Sequence, residues 1–256
     1  YEILTAPNRS ASAVWFNITS SSIFNDADAR KAVCFAINKT QACNLAYSGQ
    51  ATPCDWPHSN SAADFSDDCM NLDETYSVGY DVDKAKEYAD KSGLTGQTVR
   101  LITNGASDYV TLAEVIQQNL SEIGVTVEIV NYDEATFNAL SLDPSQYDLY
   151  VRDVQAPTNT AGQNYNGWIP VVPHLADCEW IGEGKDRFME LNNTVMGIHD
   201  LDERLEVIKE MTELFEASPA WYAICEPMRG IAYSSDLEGV YFVPYFNTYY
   251  NDWSWK

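Results

Sequence analysis

Residues 98–130 constrain the fold of this chain more than any other stretch. Residues 98–103 alternate in the manner of a strand, and residues 108–123 carry Leu112, Ile116, Leu120 and Ile123 at helical spacing. Gly124 ends that helix before a second strand at 125–130. Strands joined through a helix of this length run parallel, with a right-handed crossover. A short helix over 134–142, followed by Pro144, leads into residues 148–153, expected as a third strand of the same sheet. The fold class is therefore α/β, a mixed sheet flanked by helices. Open sheets of this kind receive ligands at the carboxyl ends of their strands. That rule directs attention to residues 152–168.

The rest of the chain supplies covering elements. Residues 14–18 alternate and are aromatic, which reads as an entering strand. Within residues 24–52, Asn25 and Asp26 can cap a helix whose Ala29, Val33, Ala36 and Ile37 share one face. Residues 53–77 turn to Asp, Ser, Asn and Pro without periodicity and read as a long surface loop. Two helices, 185–195 and 201–215, are separated near Gly197, with Asp200 or Asp202 available to cap the second. Residues 221–225 and 240–255 look strand-like and strongly aromatic, a C-terminal aromatic strand segment.

With 38 acidic against 15 basic residues, the formal charge of -23 repels nucleic acid and anionic bilayers alike. No run of roughly eighteen apolar residues exists to span a membrane, and no charged-then-apolar leader precedes Tyr1, so any export signal is expected to have been removed. Six cysteines occur without a CxxC pair or clustered histidines, which argues against a metal framework. Cys54 and Cys69 bracket the polar 53–77 loop and are the best candidate bridge, whereas Cys34 and Cys225 sit among apolar neighbours as small core residues.

Catalytic chemistry finds no support in the motifs. His58, His174 and His199 are scattered and read as solvated or hydrogen-bonded residues. No GxSxG, HExxH or phosphate-binding loop is present, and paired carboxylates such as Asp67-Asp68 lack a calcium loop's glycine and terminal Glu. The expectation is no enzyme, no catalytic or metal residues, and no cofactor.

Five spaced segments resemble a known family. Residues 24–39 read F-x-D-x-x-x-R-x-A-hydrophobic-x-x-A-I-N-K, through Phe24, Asp26, Arg30, Ala32 and Ile37, and exit through Tyr47-Ser48-Gly49-Gln50-Ala51. Tyr80-Asp81 with Lys84-Ala85-Lys86 and Ser92-Gly93-Leu94 follow, then Leu120 to Val127 as L-x-x-I-G-V-x-V, then Tyr147-Asp148-Leu149, then Asp202-Glu203-Arg204. In this order they resemble the extracytoplasmic solute-binding proteins of family 5, the oligopeptide, dipeptide and nickel class serving ABC importers.

The resemblance implies a periplasmic-binding-protein-like type II lobe. Members of the family have twice this length and two lobes, and every match falls in the second half. Residues 1–219 would then be the C-terminal lobe, and residues 220–256 would return toward a missing N-terminal lobe. The implied function is capture of an oligopeptide or other small polar solute for ABC permease subunits, by closure of two lobes about a hinge. The implied location is extracytoplasmic: cell surface, membrane-anchored lipoprotein or periplasm. The alternatives are a peptide-sensing lipoprotein of the same fold without a transport role and, more remotely, an extracellular hydrolase.

In oligopeptide-binding members the strand after Tyr-Asp-Leu runs into a Trp and then an Asp that pairs with the peptide's amino terminus. Here the sequence reads Arg152-Asp153-Val154-Gln155-Ala156-Pro157. The Trp is absent and Pro157 falls near the Asp position; with a one-step shift Asp153 takes the charged role, and the alternative reading of Arg152-Asp153 is a surface ion pair. Residues 158–168 are rich in amides, which both donate and accept, and Tyr165 or Trp168 could stack on a sugar or pack on a peptide side chain. The same segment also reads as a turn-rich connection. The candidate ligand-binding residues are Arg152, Asp153, Gln155, Asn159, Tyr165 and Trp168. Trp15 and Asn17 read as structural.

Overall fold

The computed structural model describes residues 1–62, 64, 79–155, 160–162, 165, 184–242 and 250–256. Two strands open the chain, β1 (Glu2–Pro7) and β2 (Ser10–Phe16), followed by helices α1 (Ala27–Ala36) and α2 (Lys39–Ala46) and a short strand β3 (Ala51–Pro53). Then come α3 (Val82–Ser92), β4 (Thr98–Thr103), α4 (Ser107–Ser121), β5 (Thr126–Asn131), α5 (Glu134–Leu140) and β6 (Leu149–Gln155). Helices α6 (Gly184–Thr194) and α7 (Leu201–Ala217) precede a long strand β7 (Trp221–Tyr233) and the two-residue strands β8 (Leu237–Glu238) and β9 (Ser254–Trp255).

The main sheet has the order β1-β7-β2-β6-β4-β5, with β3 paired to β7. β4 runs parallel to both β5 and β6, so the expected βαβ unit and its third strand are present. The pairs β1–β7, β2–β7, β3–β7 and β2–β6 are antiparallel, which makes the sheet mixed. β7 lies between β1 and β2, so a boundary at 219/220 cuts across one continuous sheet.

Every residue of β2 is buried, as befits a central strand covered on both faces. Helices α1 and α3 pack on each other, with Phe35 stacked on Tyr88 at 5.5 Å between ring centroids. The acidic composition finds local use at helix starts. Asp26, Asp81, Asp133 and Asp200 each cap a helix by accepting from a backbone amide of its first turn. Gly93 closes α3 at φ 75°, a left-handed position that costs glycine little.

Three expectations need correction. The capped helix expected within 24–52 is two helices, because Ile37 and Asn38 adopt extended backbone. Asn38 leaves α1 in order to cap α2, its Oδ1 accepting from Gln41 N at 2.9 Å. β1 has no counterpart in the sequence reading, since its mostly exposed side chains carry no alternation. Among the described residues of 240–255, only Ser254–Trp255 pairs, with β8, and a single turn of 3-10 helix occupies Tyr250–Asp252. Residues 243–249 of that stretch lie outside the described residues. Among the described residues no helix is long and apolar enough to cross a membrane.

Candidate functional site

Antiparallel to β2 and parallel to β4, β6 ends beside the first residues of β2 and near the start of α4. Asp153 sits there, half-buried, opposite Ser12. Its Oδ2 accepts from Ser10 Oγ at 3.0 Å, and its Oδ1 accepts from Ser12 Oγ at 3.5 Å and from the hydroxyl of Tyr109 in the first turn of α4. Tyr47, just past α2, brings its hydroxyl to 2.5 Å from Ser12 Oγ.

The direction of each bond follows from the donor count. A carboxylate only accepts, so Ser12 and Tyr109 donate to it. Ser12 has then spent its one proton, and Tyr47 must be the donor to Ser12. Burial pushes the Tyr47 phenol well above its ordinary range; for Tyr109 burial does the same, reinforced by the charge of Asp153 and the hydrogen bond to it. Both phenols therefore remain donors throughout the physiological range. Three donors against roughly four acceptor positions on a carboxylate leave room for one more, such as a ligand ammonium.

Of the other candidates, Arg152 is on the opposite face of β6 from Asp153, because successive strand residues alternate. It shares its face with Tyr150, on which its charge acts, and its carbonyl accepts from Trp15 Nε1 at 3.2 Å. Gln155 ends β6, with its backbone opposite Ser10. Asn159 and Trp168 lie outside the described residues. Tyr165 is fully buried, its ring packed between His58 at 4.4 Å, Phe188 at 5.1 Å and Phe215 at 5.4 Å. In this arrangement Tyr165 fills the core and presents no face for stacking.

Ser10, Ser12, Tyr47 and Tyr109 carry no motif, and only the β2–β6 pairing with the docking of α2 and α4 brings them to Asp153. One signal was available: in residues 10–13, Ser-Ala-Ser-Ala, the alternation puts two hydroxyls on one strand face. Trp15 and Asn17 are structural as expected. Trp15 stacks on Tyr150 at 5.6 Å, and Asn17 Nδ2 donates to Pro144 O at 2.7 Å and Tyr147 O at 2.9 Å.

Of the two readings of His58, solvated or hydrogen-bonded, the solvated one does not hold. The residue is fully buried among Trp56, Tyr165 and Trp221, and burial lowers its pKa to about 3. His199 is exposed, and His174 and Cys69, the proposed partner of Cys54, lie outside the described residues.

A separate concavity of about 780 Å³ is lined by Lys39, Gln41, Asn44, Asp55, Tyr80 and Tyr222 among others, and includes none of the residues around Asp153. Its Lys39 ammonium is already engaged, donating to Cys54 O at 2.7 Å and lying 4.1 Å from the centre of the Tyr222 ring. The Asp153 cluster is the better candidate, since its charge sits at a strand's carboxyl end with capacity to spare.

Comparison with known proteins places this geometry. The model of the bacterial extracellular solute-binding proteins, family 5 middle region, matches residues 1–169. HbpA2 from Haemophilus parasuis superposes with a TM-score of 0.81 at 17% identity, covering 100% of this chain and 50% of that one. The oligopeptide-binding protein AppA from Bacillus subtilis, in complex with a nonapeptide, gives 0.77 at 15% identity, covering 100% and 52%. A dipeptide-binding protein from a Pseudoalteromonas species, in complex with Met-Leu, gives 0.76 at 19% identity, covering 99% and 50%. Identities this low speak for the fold alone, and the chain spans about half the length of each structure. No curated protein sequence matches. The family match nonetheless takes in well over half of the 256 residues. This chain belongs to the bacterial extracellular solute-binding proteins of family 5.

Proposed function

We propose that this chain is the C-terminal lobe of an extracytoplasmic solute-binding protein that captures an oligopeptide or another small polar solute for an ABC importer, without chemical change to it. Family membership supports the class of function. The observation that carries the ligand chemistry is Asp153, a carboxylate at the carboxyl end of β6 held by Ser10, Ser12 and Tyr109. Fixed hydroxyl donors hold a carboxylate in one orientation before a ligand arrives, which lowers the ordering cost of accepting an ammonium group. In this reading residues 1–219 supply the lobe, and residues 220–256 run back toward the first lobe while β7 also completes the sheet. Solute binds between the two lobes, gains contacts in the closed state, and shifts the population toward the form a permease recognises. Asn159 and Trp168, which follow β6 in sequence, remain proposed contacts.

The test is calorimetric titration of a two-lobed protein containing this chain with di- to pentapeptides, oligosaccharides and nickel. Peptides with a free amino terminus are expected to bind, and acetylation of that terminus or Asp153→Asn should weaken binding about ten- to a hundredfold. Equal affinity for free and acetylated peptides would remove Asp153 from the site. The 256-residue chain alone is expected to bind peptide more weakly than micromolar, because half of the contacts are absent.

A further inference from the structure

Two buried thiols lie beside the Asp153 cluster. Cys43, on α2, and Cys225, on β7, are 182 positions apart in sequence, yet their Sγ atoms lie 3.0 Å from each other. Both are buried, at 3% and 0% exposure, and both are free thiols here. Their position is also particular. Cys225 is the β-sheet partner of Ser12, and Tyr47 follows Cys43 by one helical turn, its N–H donating to Cys43 O at 3.3 Å. The sulfur pair therefore lies next to the Ser12–Tyr47 contact that helps hold Asp153.

We propose that Cys43 and Cys225 form a disulfide that fastens α2 to β7 and so fixes Tyr47 over Ser12. The oxidant is a low-molecular-weight or protein disulfide. The Cys43 thiolate attacks one sulfur of the oxidant, forming a mixed disulfide and releasing one oxidant thiol. The Cys225 thiolate then attacks Cys43 Sγ and releases the second. One S–S bond forms and one breaks, the chain loses two electrons, and its two thiol protons go to the departing sulfurs.

Hydrogen bonding to Cys225 lowers the Cys43 thiol below its ordinary range, which suits Cys43 to the first attack, while that hydrogen bond and burial raise Cys225. Cys54 is the competing neighbour, since Pro53 pairs with Cys225 and Cys54 N donates to Ile224 O at 3.0 Å. Its thiol is fully buried, and burial raises it. The extracytoplasmic reading matters to this proposal only in saying where an oxidant would be met; the pairing is a property of the chain.

The test is refolding of the full chain in a glutathione redox buffer, trapping of remaining thiols, and non-reducing peptide mapping by mass. The expected product is a single linked peptide joining Cys43 to Cys225, lighter by two hydrogens than the sum of its parts. Reduction should then lower Tm by about 5–10 °C, a shift absent from Cys43→Ser and Cys225→Ser. Recovery of both as free thiols, or linkage of either one to another cysteine, overturns the proposal. The mapping uses the unaltered chain, so it does not depend on the variants folding. Failure of the extracytoplasmic reading would leave this result in vitro unchanged.

Discussion

Arg30 Nη2 donates to Ser218 Oγ at 2.5 Å, joining α1 to the residue that follows α7 across 188 positions of sequence. The same guanidinium reaches back through Nη1 to Phe24 O at 2.6 Å and Asn25 O at 2.8 Å, and it is fully buried. Arginine's fixed fork of donors ties the helix entry and the α7–β7 junction to one point. Arg30→Ala should cost about 3–5 kcal/mol, because it leaves buried acceptors unsatisfied and opens a cavity. Ser218→Ala should cost about 1–3 kcal/mol, the worth of one hydrogen bond to a charged group. Urea denaturation of both variants checks the order; an Arg30→Lys variant as stable as the parent would deny the fork its role.

That contact shows where reading the sequence stops. The βαβ unit and the Asp200 cap follow local rules, and each falls within a few residues of its expected place. β1 escaped because an exposed strand has no periodicity to betray it, and α2 because Asn38 both ends one helix and starts another. Family resemblance, with a one-step shift, singles out Asp153 as the proposed charged contact. Its hydroxyl partners were not legible, since Ser12 and Tyr109 reach it from 141 and 44 positions away through pairings that only the assembled sheet defines. Tyr165 illustrates the opposite error. A tyrosine in an amide-rich loop suggests stacking on a ligand, but its neighbours in space are Phe188 and Phe215 of the core.

Glu216, at the end of α7, predicts a fall in stability as pH rises. Burial lifts its carboxyl to about 7, against the opposing pull of Lys39 and Lys31. An unfolded glutamate titrates near 4.5. Below that pH both states hold the proton, and the stability is fully present. Between 4.5 and about 7 the unfolded chain releases a proton that the folded one keeps, so about 3 kcal/mol is lost as pH climbs through the window. Glu216→Gln should be flat over that range relative to the parent when urea midpoints are compared at pH 4.5, 6 and 7.5.

His58 acts with the opposite sign. Its folded pKa of about 3 lies below the ordinary 6.5, because its site among aromatic rings disfavours the charged form. Stability is present above 6.5 and is lost as pH falls toward 3, by about 5 kcal/mol in total. His58→Phe keeps a flat ring in the cluster and removes the proton site, so its acid limb should be shallower than the parent's. Matching acid limbs, followed by tryptophan fluorescence from pH 7 to 3, would show that His58 does not contribute.

The hydroxyl ring around Asp153 makes the last prediction quantitative. Tyr109 donates directly to Asp153 Oδ1, whereas Ser12 contacts the same oxygen at 3.5 Å, the outer limit of a hydrogen bond. Tyr109→Phe should therefore cost about 1–2 kcal/mol, and Ser12→Ala less through this bond, though Ser12→Ala also leaves Tyr47 without its acceptor. A double-mutant cycle of Tyr109→Phe with Asp153→Asn should return a coupling of about 1–2 kcal/mol, since each single change removes the same charge-assisted bond. In a two-lobed protein containing this chain, Tyr109→Phe should also weaken peptide binding, because the carboxylate loses a support that orients it before the ligand arrives. A coupling indistinguishable from zero would mean that the phenol and the carboxylate are neighbours without an energetic bond, and the oriented-carboxylate account of the site would fall with it.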